Sequence, residues 1–162
     1  MQGFCLKILM GVLRMECEFS STLTVGIPYH HKTNPSYFRA AIDSIINQTL
    51  KPTVVHLIQD GQVSEELSSL VQVYLDTYDF IEKLEIPQNR GLPYALNYSI
   101  LNCKTKYYAR MDDDDIAFCD RFEKQVAFLE ENPEIHIIGS WAVEFDDEGE
   151  TRSEFLRKVP LH

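Results

Sequence analysis

Long hydrophobic runs are missing from this 162-residue chain. The apolar stretch nearest its start, Phe4 to Leu13, is broken by Lys7 and is far shorter than the ~20 residues a helix needs to cross a bilayer. It also lacks the basic start and small-residue cleavage site of a secretory signal. Residues 1–22 therefore read as a leader ahead of the fold, with Met15 an equally good start. Cysteine is scarce: Cys5, Cys17, Cys103 and Cys119 form no CxxC pair, which argues against a zinc site and for free thiols in a reducing cytoplasm. Positive charge is also short, with 15 Lys and Arg against 25 Asp and Glu and a formal net charge of −10. That disfavours broad contact with nucleic acid, but it leaves room for a small anionic ligand where a metal ion or a few cations reverse the local sign.

A hydrophobic fraction of 44% is ordinary for one domain with a sizeable core. Leu23 to Pro28 is a short β-branched run closed by proline, and Thr53 to Gln59, Leu84 to Ile86 and Tyr107 to Met111 read as further strands. Between them, Tyr37 to Thr49, Ser64 to Tyr78 and Pro93 to Cys103 carry apolar residues at helical spacing, and Ser64 is placed as an N-cap. Asp120 to Asn132 reads as another helix, with Asp120 and Glu123 in a capping-box pattern. Ile135 to Phe145 reads as one long strand before a turn at Asp147-Glu148-Gly149. This alternation predicts an α/β fold, a three-layer α/β/α sandwich around a mainly parallel sheet, over residues 23–162.

In such sheets ligands bind beyond the carboxyl ends of the strands. Four polar segments follow predicted strands: Tyr29 to Lys32, Asp60-Gly61, Gln88 to Gly91 and Asp112 to Asp115. The last is the most demanding. Two carboxylates ~5 Å apart repel by roughly 3 kcal/mol at an effective dielectric of about 20. Helix capping does not account for the cluster, because Asp120 is the residue placed at the helix start. Two readings remain: an acidic loop screened by water, or a site for a hard cation, Mg²⁺ or Mn²⁺, completed by ligand phosphates. Ile116 and Ala117 break the spacing an EF-hand requires. His30 and His31 read as exposed loop residues.

LTVGIPYHHKT, LIQDG, NRGLPYALN, ARMDDDDI and DRFEKQVAFLEENPEIHIIGS follow one another in an order and at spacings that resemble the family 2 glycosyltransferases, over about Leu23 to Phe145. The resemblance implies the GT-A fold, and it is similar to bacterial members that build capsule, exopolysaccharide or lipopolysaccharide. It implies a transferase that moves a sugar, with inversion, from a nucleoside diphosphate sugar to a glycan or lipid-linked acceptor, in the cytoplasm or at the inner face of the membrane. Donor binding would fall to Pro28, Tyr29, Asp60, Asn89, Arg90, Gly91, Asp112, Asp113 and Asp114. Asp60 would meet the base and Asn89 to Gly91 would lie beside the nucleotide. Asp112 and Asp114 would form the DxD pair that holds Mg²⁺ or Mn²⁺, with Asp115 in support. Peripheral contact with the membrane would come through the acceptor.

Two positions depart from the family pattern. Gln59 stands where many relatives carry an aspartate, and His30 where a tyrosine is usual. Relatives also carry a second half that binds the acceptor and supplies the general base, so that base is expected beyond His162, and the domain is expected to be incomplete at its C-terminus. Asp146, Asp147 and Glu148 lie in the expected turn and are poor substitutes. A non-catalytic nucleotide-sugar-binding module is the alternative. A nucleotidyltransferase is disfavoured because IPYHHKTNPS has no glycine for a phosphate loop.

Overall fold

The computed structural model describes residues 12–14, 23–145 and 151–157, the first and last of these segments by backbone alone. Among the described residues eight strands and four helices follow in chain order: β1 Val12–Arg14, β2 Leu23–Tyr29, α1 Pro35–Ile46, β3 Val54–Asp60, α2 Glu65–Thr77, β4 Ile81–Ile86, α3 Leu92–Asn102, β5 Tyr107–Arg110, α4 Arg121–Glu131, β6 Ile137–Ile138, β7 Ala142–Phe145 and β8 Thr151–Arg157. Six of the strands form one sheet in the order β4-β3-β2-β5-β1-β6, and β7 pairs with β8 in a separate ribbon. β2 runs parallel to both β3 and β5, and β3 runs parallel to β4. The expected α/β/α sandwich is thus the one observed.

β2 is buried along its whole length, as a strand covered on both faces must be. Its odd-numbered residues Val25, Ile27 and Tyr29 share a core with Phe38, Ile42 and Ile45 of α1, Leu67 and Val71 of α2, and Phe122 and Leu129 of α4. On the other face α3 packs, with Ala95 against Ile58 and Ile86. That face is partly polar. Thr24 bonds Thr105 at 2.8 Å, and His56 Nδ1 lies 2.9 Å from Ser99 Oγ. Gly26 lets the layers close there, since a Cβ would stand 1.8 Å from the Tyr108 hydroxyl oxygen and 3.0 Å from Ser99 Oγ.

Three expectations are corrected. The leader is not wholly outside the fold, because Val12–Arg14 lies antiparallel between β5 and β6. The strand expected over Ile135 to Phe145 is two strands in different sheets, parted at Gly139-Ser140-Trp141, where no strand pairing occurs. Asp120 sits at the N-cap of α4 but makes no capping bond. Its ψ of 8° is not the extended backbone a capping side chain needs to turn back on the helix, and its carboxylate pairs with Lys124 instead. Glu123 likewise turns away, accepting from Thr49 Oγ1 at 2.8 Å. Ser64 does cap α2, accepting from Leu67 N at 3.2 Å. The turn at Asp147 to Gly149 lies outside the described residues, as do Cys5 and Cys17. Cys103 is a buried and Cys119 an exposed free thiol.

Burial lowers the pKa of His56 from its ordinary 6.5, against the weaker opposing pull of Glu82 and the Ser99 bond. The unfolded chain therefore binds a proton at this residue before the folded one does, and stability falls as pH drops below the ordinary histidine value. The urea midpoint should decline from about pH 7.5 to about pH 5.5, and His56→Gln should flatten that decline. An unchanged slope in the variant would mean that other groups carry it.

Candidate functional site

The ends of β3, β2 and β5 lie side by side because these strands are parallel neighbours. β5 stops pairing before β2 does. Met111 N bonds Gly26 O at 3.0 Å, and in a parallel ladder the residue two further on faces the same neighbour. On β2 that residue is Pro28, which has no N–H to give. The chain leaves the sheet there, and the aspartates begin at Asp112.

The four carboxylates have four different environments. Asp112 is half-buried and held bidentately by Arg110, with Nη2 2.7 Å and 2.9 Å from its two oxygens and Nε 3.0 Å from the nearer one. Asp113 accepts from Thr33 Oγ1 and lies 4.0 Å from His30 Nδ1, which joins the β2 loop to the β5 loop. Asp114 is exposed and makes no hydrogen bond or ion pair with the other described residues. Asp115 also reaches solvent, yet its pKa is raised, first by partial desolvation and then by Asp112 and Asp114. Below the loop Arg121 is largely enclosed. It donates to Arg110 O at 3.1 Å, Gln125 Oε1 at 3.2 Å and the Met111 sulfur at 3.3 Å, so its positive charge stands under the cluster without neutralising any single member.

Asp60, at the end of β3, is buried. Its two carboxylate oxygens accept from Arg90 N and Gly91 N, both at 2.7 Å, while Asn89 Nδ2 donates to its carbonyl at 3.2 Å. The bonds displayed by Asp60 thus hold the Asn89–Gly91 loop. Gly61 and Gly91 have φ of 88° and 84°, where a side chain is strained. A Cβ on Gly61 would also meet Asn89 N at 2.8 Å. Gln59, one of the two departures from the family pattern, is absorbed internally: its amide accepts from Tyr29 Oη at 3.2 Å and donates to Gly61 O at 3.0 Å. His30 Nδ1 lies 3.2 Å from Thr33 Oγ1, and the His31 ring meets the His30 ring edge-on. Arg90 is exposed, its guanidinium 4.5 Å from the centre of the Tyr94 ring.

The structure gathers the predicted polar residues on one rim, in two groups, whereas Pro28 and Tyr29 are buried in β2, Tyr29 within the core. Asp60 with Asn89–Gly91 lies on one side of β2, and Asp112–Asp115 lies on the other. A cavity of about 770 Å³ opens beyond the aspartates, bordered by Asp112, Asp115, Arg121, Gln125, Phe118 and Trp141. The nucleotide-side residues do not line it. Sequence reasoning missed Arg110 and Arg121, whose only signal was basic character beside an acidic run.

No group of three or more His, Cys, Asp or Glu side chains among the described residues is arranged to hold a metal. Asp112 and Asp114 offer hard oxygen donors, with Asp114 unengaged by the other described residues. That set fits a cation which takes one or two carboxylates and fills its shell with phosphate and water. Among the described residues no helix is long and apolar enough to cross a membrane.

Truncating the Asp60 side chain should release the Asn89–Gly91 loop. Asp60→Ala loses two hydrogen bonds to a charged acceptor and should lower unfolding stability by about 2–3 kcal/mol, read by urea titration, with Asp60→Asn intermediate. A loss no greater than that of an exposed substitution would show that the loop is held by other contacts.

The sequence profile described as Glycosyl transferase family 2 matches residues 24–159. An uncharacterized glycosyltransferase of Haemophilus influenzae is 41% identical over 114 residues, covering 70% of this chain and 42% of that protein. The amylovoran biosynthesis glycosyltransferase AmsE of Erwinia amylovora is 33% identical over 138 residues, covering 85% of this chain and 50% of the relative. The Escherichia coli UDP-Gal:alpha-D-GlcNAc-diphosphoundecaprenol beta-1,3-galactosyltransferase is 34% identical over 150 residues, covering 88% and 50%. The chain thus spans half or less of the length of these relatives. Among solved structures, Staphylococcus aureus TarS 1–349 with UDP superposes with a TM-score of 0.59 at 17% identity, over 69% of this chain and 33% of that one. The mannosyltransferase PcManGT of Pyrobaculum calidifontis, in complex with GDP-Man and Mn²⁺, does so with a TM-score of 0.58 at 18% identity, over 69% and 33%. Both share the GT-A fold seen here. On sequence profile, relatives and fold together, the chain belongs to glycosyl transferase family 2.

Proposed function

We propose that this chain carries the donor-binding part of an inverting glycosyltransferase. The enzyme would transfer a sugar from a nucleoside diphosphate sugar to a glycan or lipid-linked acceptor in bacterial cell-surface polysaccharide biosynthesis, at the cytoplasmic face of the membrane. The observation that carries the reading is Asp114, an exposed carboxylate with no hydrogen bond or ion pair to the other described residues, beside Asp112, which Arg110 holds, and Asp113, which Thr33 holds. Structural neighbours bound to UDP and to GDP-Man with Mn²⁺ support it, as does a relative whose acceptor is a diphosphoundecaprenol-linked sugar.

In this reading Asp60 holds Asn89, Arg90 and Gly91 against the nucleotide, while Pro28 and Tyr29, buried in β2, support the rim from beneath. Arg90 is the one cation of that loop and supplies charge to the phosphates. Asp114 and Asp112 hold Mg²⁺ or Mn²⁺, which when bound offsets the charge that builds on the leaving diphosphate. Arg110 keeps Asp112 oriented while the site is free of ligand. Asp113, tied to Thr33, keeps the loop closed against β2. An acceptor hydroxyl attacking opposite the leaving group inverts the anomeric centre, and a general base takes its proton.

Calorimetric titration with UDP, GDP and dTDP, each with and without Mn²⁺, should show metal-dependent binding of at least one of them. Asp114→Ala should weaken that binding about tenfold or more, the weight of one charged ligand contact, while leaving the unfolding temperature close to wild type. No binding at millimolar nucleotide with Mn²⁺, or equal affinity in the variant, would refute the donor-site assignment.

A further inference from the structure

The segment just after the aspartates, Ala117 to Glu123, is irregular up to Arg121. It is tied to the end of α1 and the residues that follow it. Ser44 Oγ accepts from Ala117 N at 3.1 Å. Thr49 N donates to Cys119 O at 2.7 Å, and Thr49 Oγ1 donates to Glu123. Gln48 lies at the centre of this set. Its side-chain amide is almost wholly buried; it donates to Phe118 O at 2.8 Å and to Ser44 O at 3.0 Å, and accepts from Phe122 N at 3.2 Å.

Both ends of that amide are thus used, which fixes its orientation. The bond to Phe122 N also explains how α4 begins without a side-chain cap from Asp120. An early N–H of the helix, which the lack of a cap would leave unpaired, is satisfied from just beyond the end of α1, 74 residues away in sequence. One amide therefore joins three things: the end of α1, the strand-to-helix loop and the first turn of α4. Upstream, the same loop is fixed by Arg121 on the carbonyl of Arg110. Between these two anchors stand the four aspartates.

We infer that Gln48 is the positioning residue of the aspartate loop, setting the stance of Asp112 to Asp115 toward a diphosphate and its cation through Phe118 and Phe122. The inference rests on the donor-site reading for what the loop binds, and on the hydrogen bonds alone for what holds the loop. Gln48 touches no ligand in this account. An apolar side chain of similar length would fill its space but leave the buried Phe122 N and the Phe118 carbonyl without this partner, so the loop would drift while the sheet stayed intact.

The full chain is compared as wild type, Gln48→Met, Ser44→Ala and Val71→Ala, the last a core truncation in α2 remote from the loop. Ser44→Ala removes the acceptor of Ala117 N yet suits a helix, so it folds even where Gln48→Met does not. The first readout is amide hydrogen exchange. Protection from Asp112 to Phe122 should fall in Gln48→Met, and less in Ser44→Ala, with β2 and β3 unchanged. The second is the gain in UDP, GDP or dTDP affinity on adding Mn²⁺. That gain should shrink by about tenfold in Gln48→Met while metal-free affinity holds, and Val71→Ala should lose thermal stability but keep the gain. An undiminished gain in Gln48→Met, or an equal loss in Val71→Ala, overturns the assignment. If no nucleotide gains from Mn²⁺ in the wild type, the donor reading fails instead, and exchange alone then decides: selective loss from Asp112 to Phe122 upholds the latch, and unchanged protection there overturns it.

Discussion

The site depends on one missing hydrogen-bond donor. Pro28 stands in a fully buried strand, on the side that faces β5, and it cannot extend the ladder. β2 goes on to Tyr29 in register with β3, reaching Gln59, whereas its pairing with β5 ends at Gly26 and Arg110. The unequal ends put the aspartates beside β2 and not beyond it, within reach of Thr33 and His30. Four adjacent carboxylates are tolerable there because their surroundings differ: Arg110 meets Asp112, Thr33 meets Asp113, Asp114 is exposed, and the distributed charge of Arg121 lies beneath Asp115.

On the other side of β2 one buried carboxylate has a comparable role. Asp60 ends β3 and collects the N–H groups of Arg90 and Gly91, which fixes the start of α3. Gly61 and Gly91 supply the left-handed backbone these turns need, and Gln59 closes the turn from inside. The loop that follows β4 is therefore attached to the end of β3, and the two halves of the rim are built by the same kind of contact, a carboxylate meeting groups from the next strand's loop.

Much of this was legible in the sequence because it is local. Alternating strands and helices, Ser64 as an N-cap and the polar segments at strand ends all follow from short-range pattern, and the family resemblance added the order of the motifs. What was not legible is long-range. Asp120 and Glu123 match a capping box by spacing, but the backbone at Asp120 is wrong for it, and Gln48 supplies the bond from far away. Gln48 looks like a surface polar residue after a helix until its partners at Phe118 and Phe122 are known. Ile135 to Phe145 is mostly apolar, and Gly139-Ser140 alone is too weak a signal to mark the switch from one sheet to another. Arg110 reads as the end of a strand, and only the structure turns it onto Asp112. The place of Val12–Arg14 in the sheet depends on a pairing that no periodicity in three residues can announce.

The central claim is that the rim formed by the ends of β3, β2 and β5 holds a nucleoside diphosphate and its cation. Paramagnetic broadening of backbone amide resonances measures this directly: Mn²⁺ is added to the chain with UDP, GDP or dTDP, and the signals lost are assigned. The account predicts that broadening is strongest at Asp112 to Asp115 and extends to Tyr29–Thr33 before it reaches Gly61 and Arg90. Broadening centred elsewhere, or none beyond that of Mn²⁺ without nucleotide, would contradict it.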